Sequence, residues 1–239
     1  MKKMISNKFI KKSKDLDIVL DIYKDSDFKK YYDLISQTPS KDISIYRKIL
    51  DKDDIILEIG TGNGRIFSPL LELNYDIYGI EPSKLMIEKI KTGKNRIFQL
   101  TLQNIEKLSL PRVDVVIIPA TTICLFSFFE FKDFIFKVKD KYPGISYVYF
   151  DFVLPDTFYR KNNIIEKVVI DDETYIYTNF IEDSKVYFNI INKNKLGISE
   201  KNLYTFELLK EYFGKNIKII NEYEGCCMCA VEMDGINNE

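Results

Sequence analysis

One stretch constrains this chain more than any other: Ile55-Ile56-Leu57-Glu58-Ile59-Gly60-Thr61-Gly62-Asn63-Gly64. The apolar run from Ile55 to Leu57 reads as a strand buried on both faces, and Glu58 sets a carboxylate at its end. Three glycines at alternate positions follow, and a helical pattern then runs from Arg65 through Leu73. Glycine permits a sharp turn and lets the main chain approach a ligand with no Cβ in the way. Strand, glycine turn and helix in this order open a nucleotide-binding α/β sheet. A dinucleotide fingerprint needs a further glycine three residues after the second, and Arg65 stands in that place.

The chain beyond it continues in the same order. Tyr75 to Glu81 reads as a second strand ending in a carboxylate, and Glu81 lies 21 residues after Gly60. A parallel βαβ unit places a ribose-binding acid at that distance. Pro82-Ser83 then starts a helix. Asn95 to Leu100 is a short third strand followed by Gln103-Asn104-Ile105, where Asn104 and Ile105 are candidates for holding an adenine ring. Asp114 to Pro119 is the fourth strand, β-branched as a central parallel strand should be. Ligands in such sheets bind beyond the carboxyl ends of strands. Pro119, Thr121 and Thr122 therefore either line the site or, for the threonines, cap the next helix. Phe128 to Lys141 reads as an amphipathic helix whose phenylalanines pack in the core, and Ser146 to Phe152 as the fifth strand carrying Asp151.

After Pro155 the alternation stops. Residues 167–170, 174–181 and 186–191 form three strand-like runs joined by polar turns, an antiparallel meander with one packed and one open face. A helix from Thr205, capped by it and ended by Gly214, returns to α/β order. Residues 217–221 and 226–233 follow as strands separated by Glu224-Gly225, a turn so short that the two must be antiparallel. Before the first core strand, residues 28–35 read as a helix. A second helix follows, capped by Ser40 or Asp42. Tyr31 and Tyr32 face either core or cleft.

Composition removes whole classes of chemistry. The chain has 239 residues and no histidine. Ser-His-Asp and Cys-His triads, histidine-ligated metals and a histidine base are excluded. Four cysteines are present, three of them in Cys226-Cys227-Met228-Cys229. Without a histidine to complete a zinc site, that run reads as part of a buried last strand, and no metal is expected. A net charge of −1 carries no basic footprint for nucleic acid. No apolar run reaches the ~20 residues of a membrane helix, and no apolar signal segment follows the N-terminus, so a cytoplasmic protein is expected.

The run Glu58-Ile59-Gly60-Thr61-Gly62-Asn63-Gly64 resembles the first motif of class I S-adenosylmethionine-dependent methyltransferases. Tyr78-Gly79-Ile80-Glu81-Pro82-Ser83 supports the same resemblance. More narrowly the chain is similar to the small-molecule subset that includes amino-sugar and peptide N-methyltransferases. Tyr32-Asp33, Asp42-Ile43-Ser44-Ile45-Tyr46 and a β insertion after Phe150-Asp151-Phe152 carry that part. Where relatives place an acid at the adenine position, this chain has Gln103-Asn104.

The resemblance implies a Rossmann-like doubly wound α/β sheet of seven strands, the last antiparallel. Residues 1–50 would form an N-terminal helical cap, 51–155 with 203–239 the core, and 156–202 a β insertion over the substrate cleft. It implies S-adenosyl-L-methionine as cofactor: Gly60, Thr61, Gly62, Asn63 and Gly64 at its methionine portion, Glu58 near its ammonium, Glu81 and Pro82 at the ribose, Asn104 and Ile105 at adenine, and Pro119 beside them. Tyr32, Thr121 and Asp151 are the candidates at the methyl acceptor, a small-molecule or peptide-derived nitrogen, carboxylate or phosphate-type oxygen. The rival expectation is a cofactor-binding scaffold or partner subunit without turnover.

Overall fold

The computed structural model of the chain describes residues 2–37 and 41–236. The chain forms two compact units, Pro39–Val153 with Tyr204–Glu239, and Met1–Thr38 with Leu154–Leu203.

The larger unit is built on a sheet with strand order Ile217–Tyr223, Cys226–Glu232, Tyr147–Val153, Val115–Ile118, Ile55–Ile59, Asp76–Ile80, Ile97–Phe98. The last five pair in parallel, and Cys226–Glu232 runs antiparallel to both neighbours. This is the seven-stranded arrangement expected from the sequence. From Ile55–Ile59 the chain first builds outward to Ile97–Phe98, then crosses to Val115–Ile118 on the other side. The crevice where the winding reverses lies at the carboxyl ends of those two central strands.

Burial on both faces explains why the central strands are apolar runs, interrupted only by Glu58 in Ile55–Ile59. On one face Tyr46, Phe67 and Leu70 pack against Ile56, Ile77, Val115 and Ile117. On the other, Phe131 meets the rings of Phe150 and Phe213. Helix Phe128–Lys141 starts in a reciprocal cap between Ser127 and Glu130, as its sequence demands. Its buried stripe is Phe131, Phe134, Ile135 and Val138, spaced i, i+3, i+4, i+7. Phe129 falls off that stripe and is 78% exposed, so the expectation that all its phenylalanines serve the core is corrected. Helix Phe206–Phe213 is capped by Thr205 and ends at Gly214 with φ +56°, as read from sequence. Helix Asp42–Ile49 lacks the expected Asp42 cap, because Asp42 is already its first residue; Ser40 lies outside the described residues. Cys227 and Cys229 are buried on one face of the last strand, their sulfurs 3.7 Å apart.

The smaller unit departs further from the reading. Its sheet has five strands, ordered Asp17–Val19, Lys195–Asn202, Lys185–Asn192, Glu173–Glu182, Ile165–Ile170. Two were missed. Lys195–Asn202 carries Gly197, Glu200 and Lys201 and lacks an apolar signature, while Asp17–Val19 has only three residues. The expected open face is absent. Ile191, Leu196 and Ile198 pack with Ile5 and Phe9 on one side. Ile190 and Tyr175 pack with Ile22, Phe28 and Tyr31 on the other. The edge strand Asp17–Val19 lies in sequence between those two covering segments, so the N-terminal chain passes from one face to the other at that edge. The residues before 38 are therefore partners of this sheet, whereas helix Asp42–Ile49 belongs to the larger unit.

Candidate functional site

The site is assembled at the carboxyl ends of the central strands of the larger unit. Strand Ile55–Ile59 delivers Glu58 into full burial, and its Oε2 has no hydrogen-bond partner. Loss of water holds its carboxyl well above the usual carboxylate range, with Glu81 and Asp42 adding repulsion and Arg65 opposing it. The chain then turns through Gly60, Gly62 and Gly64, all with positive φ between +58° and +85°. The amides of Gly60 and Thr61 both donate to the Ile80 carbonyl, at 2.9 and 3.1 Å, tying the turn to the neighbouring strand. At Gly60 a Cβ would lie 2.6 Å from Thr122 Cγ2, so glycine is required by space as well as by φ.

Glu81, at the end of strand Asp76–Ile80, closes the turn from the other side. Its Oε2 accepts from the Gly62 amide at 2.9 Å and its Oε1 from the Ser83 amide at 2.8 Å. Pro82 beside it is exposed. Past strand Val115–Ile118, Pro119 is buried, and Ala120 and Thr121 adopt φ of +59° and +57°. That left-handed pair is unusual for residues with a Cβ and marks a constrained turn. Asp151 fixes it: Oδ2 accepts from the Thr121 amide at 3.2 Å and from the Tyr223 hydroxyl at 3.0 Å. Oδ1 is buried with no partner.

Desolvation pushes the Asp151 carboxyl up to about 7, against the pull of the Tyr223 hydrogen bond. A raised acid means that the folded protein holds more protons than the unfolded chain between pH ~4 and 7, so stability falls as pH rises through that window. Asp151→Asn is expected to flatten this decline in urea titrations stepped across it, leaving the part due to Glu58. A wild-type slope in the variant would show that Asp151 carries no extra proton.

Residues 57–133 match the family described as methyltransferase domain. The likeness to that family spans this stretch of the chain. No curated protein matches in sequence. An S-adenosylmethionine-dependent methyltransferase from Clostridium acetobutylicum has a similar structure, with a TM-score of 0.66 at 17% identity, over 87% of this chain and 98% of that one. A sugar N-methyltransferase from Streptoalloteichus gives 0.60 at 14%, over 85% and 93%. A glycopeptide N-methyltransferase complexed with S-adenosyl-L-methionine gives 0.52 at 12%, over 82% and 87%. At these identities the likeness is one of fold.

Within the larger unit the structure brings together Glu58, the glycine turn, Glu81, Thr121 and Asp151. Asn104 lies in the turn Leu102–Lys107, half-buried, with its amide on Thr101 Oγ1 at 3.0 Å. Ile105 is fully buried. Tyr32 is in the other unit, half-buried and edge-on to Tyr23 at 5.4 Å. Three polar residues escaped the sequence reading as site members. Arg65 grips Asp42 through two hydrogen bonds of 3.1 and 2.6 Å. Tyr223 anchors Asp151. The Tyr46 hydroxyl is buried without a partner, within the field of Asp151, Asp42 and Glu58. Arg65 and Tyr46 stood inside quoted motifs, which was the available signal; Tyr223 had none.

An S-adenosylmethionine molecule suits these groups. The unpartnered Glu58 oxygen is a place for an ammonium, and the turn at Gly60 has room for backbone and no side chain.

Proposed function

We propose that this protein is an S-adenosylmethionine-dependent methyltransferase acting on a small-molecule or peptide-derived acceptor, at an amine nitrogen or a carboxylate- or phosphate-type oxygen. The observation that carries this reading is Glu58: a fully buried carboxylate with an unpartnered oxygen, at the strand end before a left-handed glycine turn. Burial of such an oxygen is costly unless a ligand completes it.

When bound, S-adenosylmethionine supplies a methyl carbon already activated by the sulfonium charge. The protein's work is alignment and exclusion of water. Glu58 holds the ammonium end, the Gly60–Gly64 turn cradles the methionine portion, Glu81 holds the ribose, and Asn104 with Ile105 flanks adenine. Thr121, its amide held by Asp151, is the acceptor-side group of the larger unit. A chain with no histidine favours acceptors that need little base assistance: a neutral amine or an anionic oxygen. Sugar and glycopeptide N-methyltransferases among the structural neighbours support an amine. The same reading places the protein in the cytoplasm, in a biosynthetic role without nucleic acid as substrate.

Calorimetry is expected to show micromolar binding of S-adenosylmethionine and of its demethylated product, and none of NAD. Mass spectrometry of amine and carboxylate panels then tests turnover. Cofactor binding without turnover on any acceptor would favour the scaffold reading instead; no cofactor binding would overturn both.

A further inference from the structure

The smaller unit contains a cavity of about 200 Å³ of its own. Its floor is one face of the five-stranded sheet. Asn179 stands opposite Phe188, and Phe188 opposite Ser199, on three adjacent strands, so the three share that face. Lys201, two residues beyond Ser199, shares it too. Tyr31, Tyr32 and Phe158 contribute walls. Ile22 and Phe28 close one end, and Gly197 makes this possible. A Cβ there would come within 2.6 Å of Ile22 and 2.9 Å of Phe28.

The polar groups of the floor lack protein partners. Among the described residues, nothing pairs with the Asn179 amide, the Ser199 hydroxyl or the Lys201 ammonium. Ser199 is only 6% exposed. Three other lysines of this sheet's surroundings are matched: Lys30 with Glu173, Lys193 with Asp27, Lys195 with Asp25. Two acids of this sheet are paired, Glu166 among them, which stands opposite Tyr177 on the cavity's face. Glu200, on the opposite face, pairs with Lys185, and Glu166 with Lys161. Lys201 is the only charged side chain among the cavity's lining residues. Polar groups set in apolar walls without partners are the mark of a ligand site. The charge asks for an anion. The stacked pair Tyr31–Phe188, 5.7 Å between centroids, offers flat apolar surface to a ring. The volume falls below the roughly 300–1,000 Å³ of sites for drug-sized ligands, and suits a single ring.

We propose that this cavity is a binding site for a small ring-bearing anion, a carboxylate or a phosphate. Its anionic oxygens meet Lys201, Ser199 and Asn179, and its ring lies against Tyr31 and Phe188. The binding of such a ligand does not rest on the reading above, because the cavity and its anion anchor lie wholly in the smaller unit.

The test titrates the full chain, without S-adenosylmethionine, with phenyl phosphate and benzoate. Benzyl alcohol serves as the neutral ring and inorganic phosphate as the ringless anion. At least one ring anion should bind more tightly than both controls, and which of the two wins identifies the anionic group. Lys201→Met should weaken it about tenfold or more, while Lys201→Arg retains it. Should Lys201→Met not fold, Asn179→Ala carries the same comparison with a smaller loss. Equal affinity in folded Lys201→Met and wild type, inorganic phosphate bound as tightly as phenyl phosphate, or no ring anion bound would each overturn the proposal. S-adenosylmethionine is titrated separately. Failure there with ring-anion binding intact sinks the methyl-transfer reading alone; the converse sinks only this one.

Discussion

Glu81→Ala is expected to weaken S-adenosylmethionine binding by about 1.5–3 kcal/mol, the scale of a hydrogen bond to a charged group. That is roughly a 10- to 150-fold rise in Kd. Two losses combine. The ribose loses its carboxylate acceptor, and the glycine turn loses its closure, because Glu81 also accepts from the amides of Gly62 and Ser83. The second loss acts without ligand. Two amides at a buried site lose their acceptor, which should cost stability of about 1–3 kcal/mol if water does not replace it. Calorimetry and urea denaturation on the same variant separate the two. Weaker binding with a modest loss of stability supports the ribose assignment. Lost stability with wild-type affinity would make Glu81 a brace of the turn and nothing more. Glu81→Gln, which keeps one acceptor oxygen, should fall between.

The core of the larger unit was legible because its physics is local. Buried parallel strands are apolar runs, the glycine turn is written in residues that few other structures need, and Thr205 and Gly214 mark helix ends by their own chemistry. The smaller unit was legible only in part. Its strand Lys195–Asn202 is held by pairing with Lys185–Asn192, and Asp17–Val19 by a partner far along the chain, so neither needs a pattern of its own. Ile190 and Ile191 look like one apolar pair, yet each packs against a different N-terminal segment. No periodicity over a short window reports which distant segment covers which face. The site divides the same way. Glu58 and Glu81 sit at strand ends where the topology puts functional groups, and Asp151 just beyond the end of the neighbouring strand Val115–Ile118, whereas Tyr223 reaches Asp151 across 72 positions of sequence. A contact of that kind exists only once the sheet has formed.

Arg65→Met should produce the largest loss of stability, about 3–5 kcal/mol, the cost of stranding one member of a buried ion pair. Asp42 is 1% exposed and is held by both terminal nitrogens of Arg65. The guanidinium also draws on Glu58 and Asp151, lowering both carboxyls against the burial that raises them. Three carboxyl groups thus lean on one cation, and its removal leaves them to one another. Against a total stability of about 5–15 kcal/mol, such a loss is visible as a shifted urea midpoint with an unchanged slope. Two further measurements separate the pair from the cluster. Arg65→Met combined with Asp42→Leu should recover much of the loss, because a hydrophobic replacement of both partners removes the stranded charge. It should not restore cofactor affinity at neutral pH, since Glu58 without Arg65 holds its proton to higher pH and meets an ammonium less well. Stability restored together with affinity would confine Arg65 to the ion pair. A single variant losing under about 1 kcal/mol, the range of an exposed pair, would remove it from the cluster altogether. The residue that stands where a dinucleotide motif needs glycine is on this argument the counter-charge that lets a carboxylate-rich pocket exist.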